Sequence, residues 1–158
     1  MSVDSFIKTF QFSGAGGQPS EVDVDKIFEM LQSYPDSARL WNLCGDSIQL
    51  SDGDRYCPED ARKCYETAIQ RSPNDPEAYE SLGFWHDIEN EFEPAAKYFR
   101  LAIQRTKSDV PRHGLARVLA QLGQKSEALL EIDQCLDQQS IDLKILRDEI
   151  ENDLWYSG

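Results

Sequence analysis

Apolar residues recur along the chain at helical spacing. Ala95, Phe99, Ala102 and Ile103 lie at i, i+4, i+7 and i+8, one face of a helix. The same face precedes it as Ala61, Tyr65, Ala68 and Ile69, and the tetrapeptide Ala68-Ile69-Gln70-Arg71 returns as Ala102-Ile103-Gln104-Arg105, 34 residues on. Lys63 and Lys97 keep that register. A third copy follows at a shift of 33, with Ala128, Ile132 and Cys135 answering Ala95, Phe99 and Ala102. A fixed period of this length marks one supersecondary unit, which buries its apolar face by stacking on copies of itself.

Each unit reads as two helices. In the second copy Asp75 caps a helix opened by Pro76, Asn90 ends it in a left-handed conformation, and Pro94 opens the next helix. In the third copy Gly123 stops one helix and Ser126 caps its successor. Leu82-Gly83 precedes Ala95 as Leu115-Ala116 precedes Ala128, and Cys44-Gly45 plays that part in the first copy. There, 16 residues separate Gly45 from Ala61, against 12 between Gly83 and Ala95, so four residues are inserted. The inserted stretch, residues 51–58, has turn chemistry, and lengthening a loop costs little.

Flanking segments complete the pattern. Val22, Ile27, Met30 and Leu31 read as the second helix of an incomplete unit. Ile141, Ile145, Leu146, Ile150, Leu154 and Trp155 trace an amphipathic helix at the other end. Both are expected to cap the array, because stacked repeats must hide their open faces. Residues 1–20, with Gly14, Gly16, Gly17 and Pro19, show no clear periodicity; Phe6, Ile7 and Phe10 either dock on the first helix or stay mobile.

The residues at the repeat's key positions resemble the tetratricopeptide repeat (TPR) family, whose signature is a bulky aromatic, Leu-Gly, then small, aromatic and small residues, then Pro. Trp41, Gly45, Ala61, Tyr65, Ala68 and Pro73 supply it in the first copy, and Tyr79, Leu82, Gly83, Ala95, Phe99 and Ala102 in the second. The third departs from it, with Arg112 in the aromatic place and Ala116 for the glycine. The resemblance implies an all-α, right-handed solenoid of about three helix-turn-helix units with an N-terminal half-unit and a C-terminal capping helix. The expected division is 1–20 N-terminal segment, 21–37 half repeat, 38–75, 76–108 and 109–140 repeats, and 141–158 capping helix.

Charge narrows the function. The chain of 158 residues has 16 Lys and Arg against 29 Asp and Glu, a net charge of −13. Phosphate contacts need clustered cations, so nucleic acid and anionic membrane surfaces are excluded as partners. The four cysteines, Cys44, Cys57, Cys64 and Cys135, form no C-x-x-C pair, which excludes a zinc site and a disulfide framework. With no secretory leader pattern or long apolar run, the expectation is a reduced, cytoplasmic chain. Neither His86 nor His113 is accompanied by a nucleophile, base and oxyanion set, and no glycine-rich phosphate loop occurs, so neither an enzyme nor a cofactor site is expected.

A binding surface remains. The resemblance implies that first helices line a concave groove whose contacts come from their outward positions: Asn42, Asp46 and Gln49; Glu77, Glu80, Phe84 and Asp87; and His113, Arg117 and Gln121. Family members that hold acidic chaperone C-termini use Lys, Arg and Asn there, whereas Asp46, Glu77 and Glu80 stand here. The expected ligand is therefore a protein or peptide with basic and apolar groups, bound by an adaptor or scaffold. Two alternatives share the acidity: a bacterial secretion-type TPR chaperone, and an inhibitor or immunity-type protein masking a basic partner.

Overall fold

Ser20 starts the first long helix by a reciprocal cap. Its Oγ accepts the Asp23 N–H at 3.3 Å and its own N–H donates to Asp23 Oδ2 at 3.0 Å, satisfying two backbone donors that a helix start leaves open. The computed structural model describes all 158 residues, Met1–Gly158, as nine helices: α1 Val3–Thr9, α2 Glu21–Ser33, α3 Ala38–Leu50, α4 Pro58–Arg71, α5 Pro76–Ile88, α6 Phe92–Ile103, α7 Val110–Gln121, α8 Lys125–Asp133 and α9 Ile141–Glu151. The fold is all-α, and no helix is long and apolar enough to cross a membrane. Its packing divides into two parts, Met1–Ser81 and Leu82–Gly158, with the division inside α5.

In the first part α3 packs on α4 and α2 packs on α3. Val24, Ile27 and Leu31 from α2, Leu40, Cys44 and Ile48 from α3, and Ala61, Cys64, Tyr65 and Ala68 from α4 are buried. Gly45 brings α3 against the Tyr65 ring: a Cβ there would lie 2.4 Å from a ring carbon. Val22, which the apolar pattern assigned to the core, is 55% exposed; Val24 takes that place. Residues 1–20 are also more structured than their sequence suggests. Phe6 and Phe10 meet at 4.8 Å between ring centroids, and Phe10 meets Phe12 edge-on at 5.5 Å. Behind them, buried Asp23 accepts the Ser13 N–H at 2.7 Å. Burial opposes ionisation of that carboxyl, yet the Ser13 and Ser20 bonds outweigh it and hold Asp23 well below the ordinary carboxylate range.

In the second part the Phe99 ring of α6 lies between two glycines. A Cβ on Gly83 of α5 would approach it to 2.6 Å and one on Gly114 of α7 to 2.5 Å. Around it, Leu115, Val118 and Leu119 of α7, Ala128 and Ile132 of α8, and Leu143, Leu146 and Ile150 of α9 form one core. Helix α5 ends at Asn90, φ 61°, and α7 ends at Gly123, φ 77°. In both, the next N–H reaches back to the helix, Glu91 to His86 O and Gln124 to Leu119 O, each at 2.8 Å. Helix α9 closes the same way through Asp153 and the Leu154 N–H.

Three details differ from the pattern-based expectation. Helix α6 starts at Phe92, so Pro94 sits within its first turn, where its missing N–H is not needed. Helix α8 starts at Lys125 after Gln124, leaving Ser126 inside the helix rather than at its cap. On α9 the buried face is Leu143, Leu146 and Ile150, while Ile141 is 73% and Ile145 52% exposed. At 100° per residue those two lie roughly half a turn round from Leu143, so the i, i+4 stripe they begin is the outer one.

Candidate functional site

The candidate residues of the first part come from α3 and the start of α5. Asp46 and Gln49 are one helical turn apart, and the Tyr65 hydroxyl of α4 lies 2.8 Å from Asp46 Oδ1 and 2.9 Å from Gln49 Oε1. Asn42, one turn earlier, donates Nδ2 to Asp46 Oδ2 at 3.3 Å. Expected to point outward, Asn42 is only 2% exposed, and its Oδ1 is buried without a hydrogen-bond partner. An unmatched acceptor of this kind is uncommon in folded proteins.

Three carboxyls in this part are raised above the ordinary range. Burial raises Asp46 above the ordinary carboxylate range, despite bonds from Tyr65 and Ser81. Burial also raises Glu80, with added repulsion from Glu77 and Asp46. Glu77, the most exposed of the three, is raised by crowding protein atoms and by Asp75 and Asp46, with Arg39 and Asn42 acting in the opposite direction. Arg39 spends its nearest contact elsewhere, 2.6 Å from Asp4 Oδ1. The arrangement is an under-neutralised anionic patch, suited to holding an ammonium or guanidinium group.

In the second part the expected site residues pair with one another. Arg117 of α7 donates Nε to Asp87 Oδ2 at 3.0 Å, and Gln121 donates Nε2 to Asp87 Oδ1 at 3.0 Å. Asp87 is therefore neutralised within the second part. The Arg117 guanidinium also lies 5.8 Å from the Phe84 ring centre and 5.7 Å from that of Trp155. Phe84 is half-buried and meets Phe99 edge-on at 4.9 Å, so it serves the core more than open space. His113, half-buried, stands near Asp109, whose carboxyl, although penalised by burial, is held low by the Asp137 and Leu136 N–H groups and by His113 and Arg112.

The remaining reactive groups are committed to structure. His86 Nδ1 is 2.6 Å from Glu91 Oε2, and its ring stacks on Tyr98 at 5.2 Å. Cys44, Cys64 and Cys135 are buried, and burial pushes the Cys135 thiol up to about 11. Exposed Cys57 caps α4, its N–H donating to Asp60 Oδ2 at 3.0 Å. The sequence reading did not foresee the Tyr65 hydroxyl bridging Asp46 and Gln49, or Arg117 neutralising Asp87. Each joins residues 16 to 30 positions apart, and only the packing of helices brings them together.

No protein-family model matches the chain, and no curated protein matches its sequence. Solved structures do. YrrB, described as a TPR protein with an unusual peptide-binding site, superposes with a TM-score of 0.67 at 15% identity over 80% of this chain. The chain spans 65% of the YrrB chain. MamA gives 0.65 at 17% identity over 83% of this chain and 82% of its own. TTC0263, a thermophilic TPR protein of Thermus thermophilus, gives 0.66 at 19% identity over 84% of this chain and 71% of its own. At such identities the likeness concerns fold. The chain has the fold of tetratricopeptide-repeat proteins.

Proposed function

We propose that the chain is a non-catalytic protein-interaction module that binds a peptide segment or partner surface bearing basic groups through Asp46, Glu77 and Glu80. The observation that carries this reading is that Asp46, Glu77 and Glu80 are all raised, with Asp46 repelling both glutamates and Glu77 repelling Glu80. Their mutual repulsion is a cost to the folded chain that a cationic ligand relieves. The fold agrees, since YrrB is described as binding a peptide, although a shared fold alone never fixes a function.

Calorimetric titration with acetyl-Lys-Leu-Lys-Leu-Lys-amide tests it. Glu77→Gln combined with Glu80→Gln is expected to weaken binding about tenfold, and added salt to weaken the wild type. Lowering the pH into the raised carboxyl range should also release the peptide, because protonation removes the attracting charges. Equal affinity in wild type and a folded double variant overturns the proposal.

A further inference from the structure

The chain leaves α9 through a left-handed residue and turns back on the helices before it. Asp153 has φ 58°, and the Leu154 N–H closes on Glu149 O at 2.9 Å. The turn brings Trp155 to α7. Its ring centre lies 5.7 Å from the Arg117 guanidinium, and the Phe84 ring centre lies 5.8 Å from the same group. Arg117 is thus shared by two rings, one on α5 and one from the segment after α9. It is paired with Asp87, so what it offers a ring is a planar cation already held in position. Phe84 and Arg117 both stand where the repeat pattern expects ligand contacts, and the chain's own Trp155 lies against them.

This internal occupant is held loosely. Of its neighbours, Leu154 is 70% and Tyr156 53% exposed. No backbone hydrogen bond follows that of Leu154. The side-chain ties are near solvent: Trp155 Nε1 donates to Glu149 Oε2 at 3.0 Å, and Lys125 Nζ lies 2.6 Å from Glu151 O and 3.0 Å from Asp153 Oδ1. Exposed ion pairs of this kind contribute little. The fit is also incomplete, because a cavity of about 40 Å³ remains where Trp155 and Tyr156 face Ala120, Gly123 and Ile150. A tightly packed core leaves few voids of that size.

We propose that Trp155 is a stand-in, and that the place it holds on Arg117 and Phe84 is a binding site for an aromatic residue of a partner segment carrying a carboxylate two positions earlier. The incoming ring replaces Trp155 on Arg117, and the carboxylate replaces Asp153 on Lys125, whose ammonium loses that partner when the segment lifts. The segment after α9 therefore shows the chemistry of the ligand and keeps the site closed until a better-fitting segment competes for it. The site is independent of Asp46, Glu77 and Glu80.

In the nitrogen-15-labelled full chain an unlabelled peptide adds no signal, and Trp155 has its own indole N–H resonance. Acetyl-Asp-Leu-Trp-amide, which copies residues 153–155, is expected to move the Trp155 signal saturably to the position of an exposed indole and to leave Trp41 in place. Trp155→Ala opens the site and should bind the peptide about tenfold more tightly than the wild type, read at the Arg117 Nε–H, since a mostly closed site weakens apparent affinity in proportion to its open fraction. Glu149→Ala keeps Trp155 but removes its acceptor; it should bind about threefold more tightly, and it serves as the test if Trp155→Ala fails to fold. Acetyl-Asp-Leu-Ala-amide and acetyl-Lys-Leu-Trp-amide should bind about tenfold more weakly or worse. Glu77→Gln with Glu80→Gln should leave this titration unchanged, which separates failure here from failure of the proposed function. A Trp155 signal that stays in place under about a hundredfold molar excess of peptide, equal affinity in the wild type and Glu149→Ala, or equal binding of all three peptides overturns the proposal and leaves Trp155 as a fixed part of the core.

Discussion

Phe99 is fully buried with a glycine on either side of its ring, Gly83 and Gly114. A glycine inside a helix costs about 1 kcal/mol relative to alanine, so at an open site Gly114→Ala would stabilise the chain. Here the added Cβ would meet the Phe99 ring at 2.5 Å, and Gly83 blocks the ring's retreat. Overpacking of this kind costs about 1–3 kcal/mol, which outweighs the propensity gain. With the propensity gain subtracted, the net loss is up to about 2 kcal/mol, and Gly114→Ala is expected to lower the melting temperature by up to about 8 °C, at 2–4 °C per kcal/mol for a chain of this size. A calorimetric scan showing a rise would mean the ring has room to move. Gly83 was legible in the sequence because Gly45 holds the same place in the first hairpin. Gly114 was not, because it lies two residues before Ala116, the residue that answers Gly83 in the third copy, and no periodicity marks it.

At the scale of the element, periodicity identified helices well and their outer limits less well. The repeated stripe of α4 and α6 reports its own burial, since Tyr65 and Phe99 are both buried. Segments without a second copy were harder to read. Helix α1 buries none of its residues, so its apolar pattern is too weak to stand out; its ties are specific bonds such as Tyr34 Oη to Met1 O at 2.5 Å and Arg39 to Asp4. Helix α9 carries apolar residues on two faces, and the pattern alone does not say which one packs. The inserted loop was visible only as extra length, because its anchors on α2 are 30 or more residues away. Its order rests on those anchors. Glu21→Ala removes the acceptor of the Arg55 N–H, and hydrogen exchange at that amide should speed up by about an order of magnitude as local opening becomes easier. The Phe99 core lies in the other part of the chain, so exchange at its helices should not change. Unaltered exchange at Arg55 would show that the Tyr56 bond to Asp25 and the Ser20–Asp52 backbone pairing suffice to hold the loop.

Over the whole molecule, two groups of carboxyls pull stability in opposite directions with pH. Asp46, Glu77 and Glu80 have folded pKa values raised above the ordinary 3.8 or 4.5. The folded chain therefore binds their protons more tightly than the unfolded one, and stability grows as pH falls from neutrality through the raised values. Asp23, Asp25, Glu59, Asp60 and Asp109 are lowered, Asp23 and Asp109 against burial, by bonds to backbone and side-chain donors. Their stabilisation is complete above the ordinary values and is lost as pH falls below these. A melting temperature that rises as pH falls from neutrality toward the ordinary carboxylate values and drops once pH passes below them is the expected result. Easing the repulsion of a −13 chain contributes to the same rise, and scans in high salt suppress that diffuse part. What remains should shrink in Glu77→Gln combined with Glu80→Gln, which removes two of the raised groups but none of the lowered ones. An undiminished rise in that variant would place the proton uptake elsewhere and take away the electrostatic basis for a cationic ligand at Asp46.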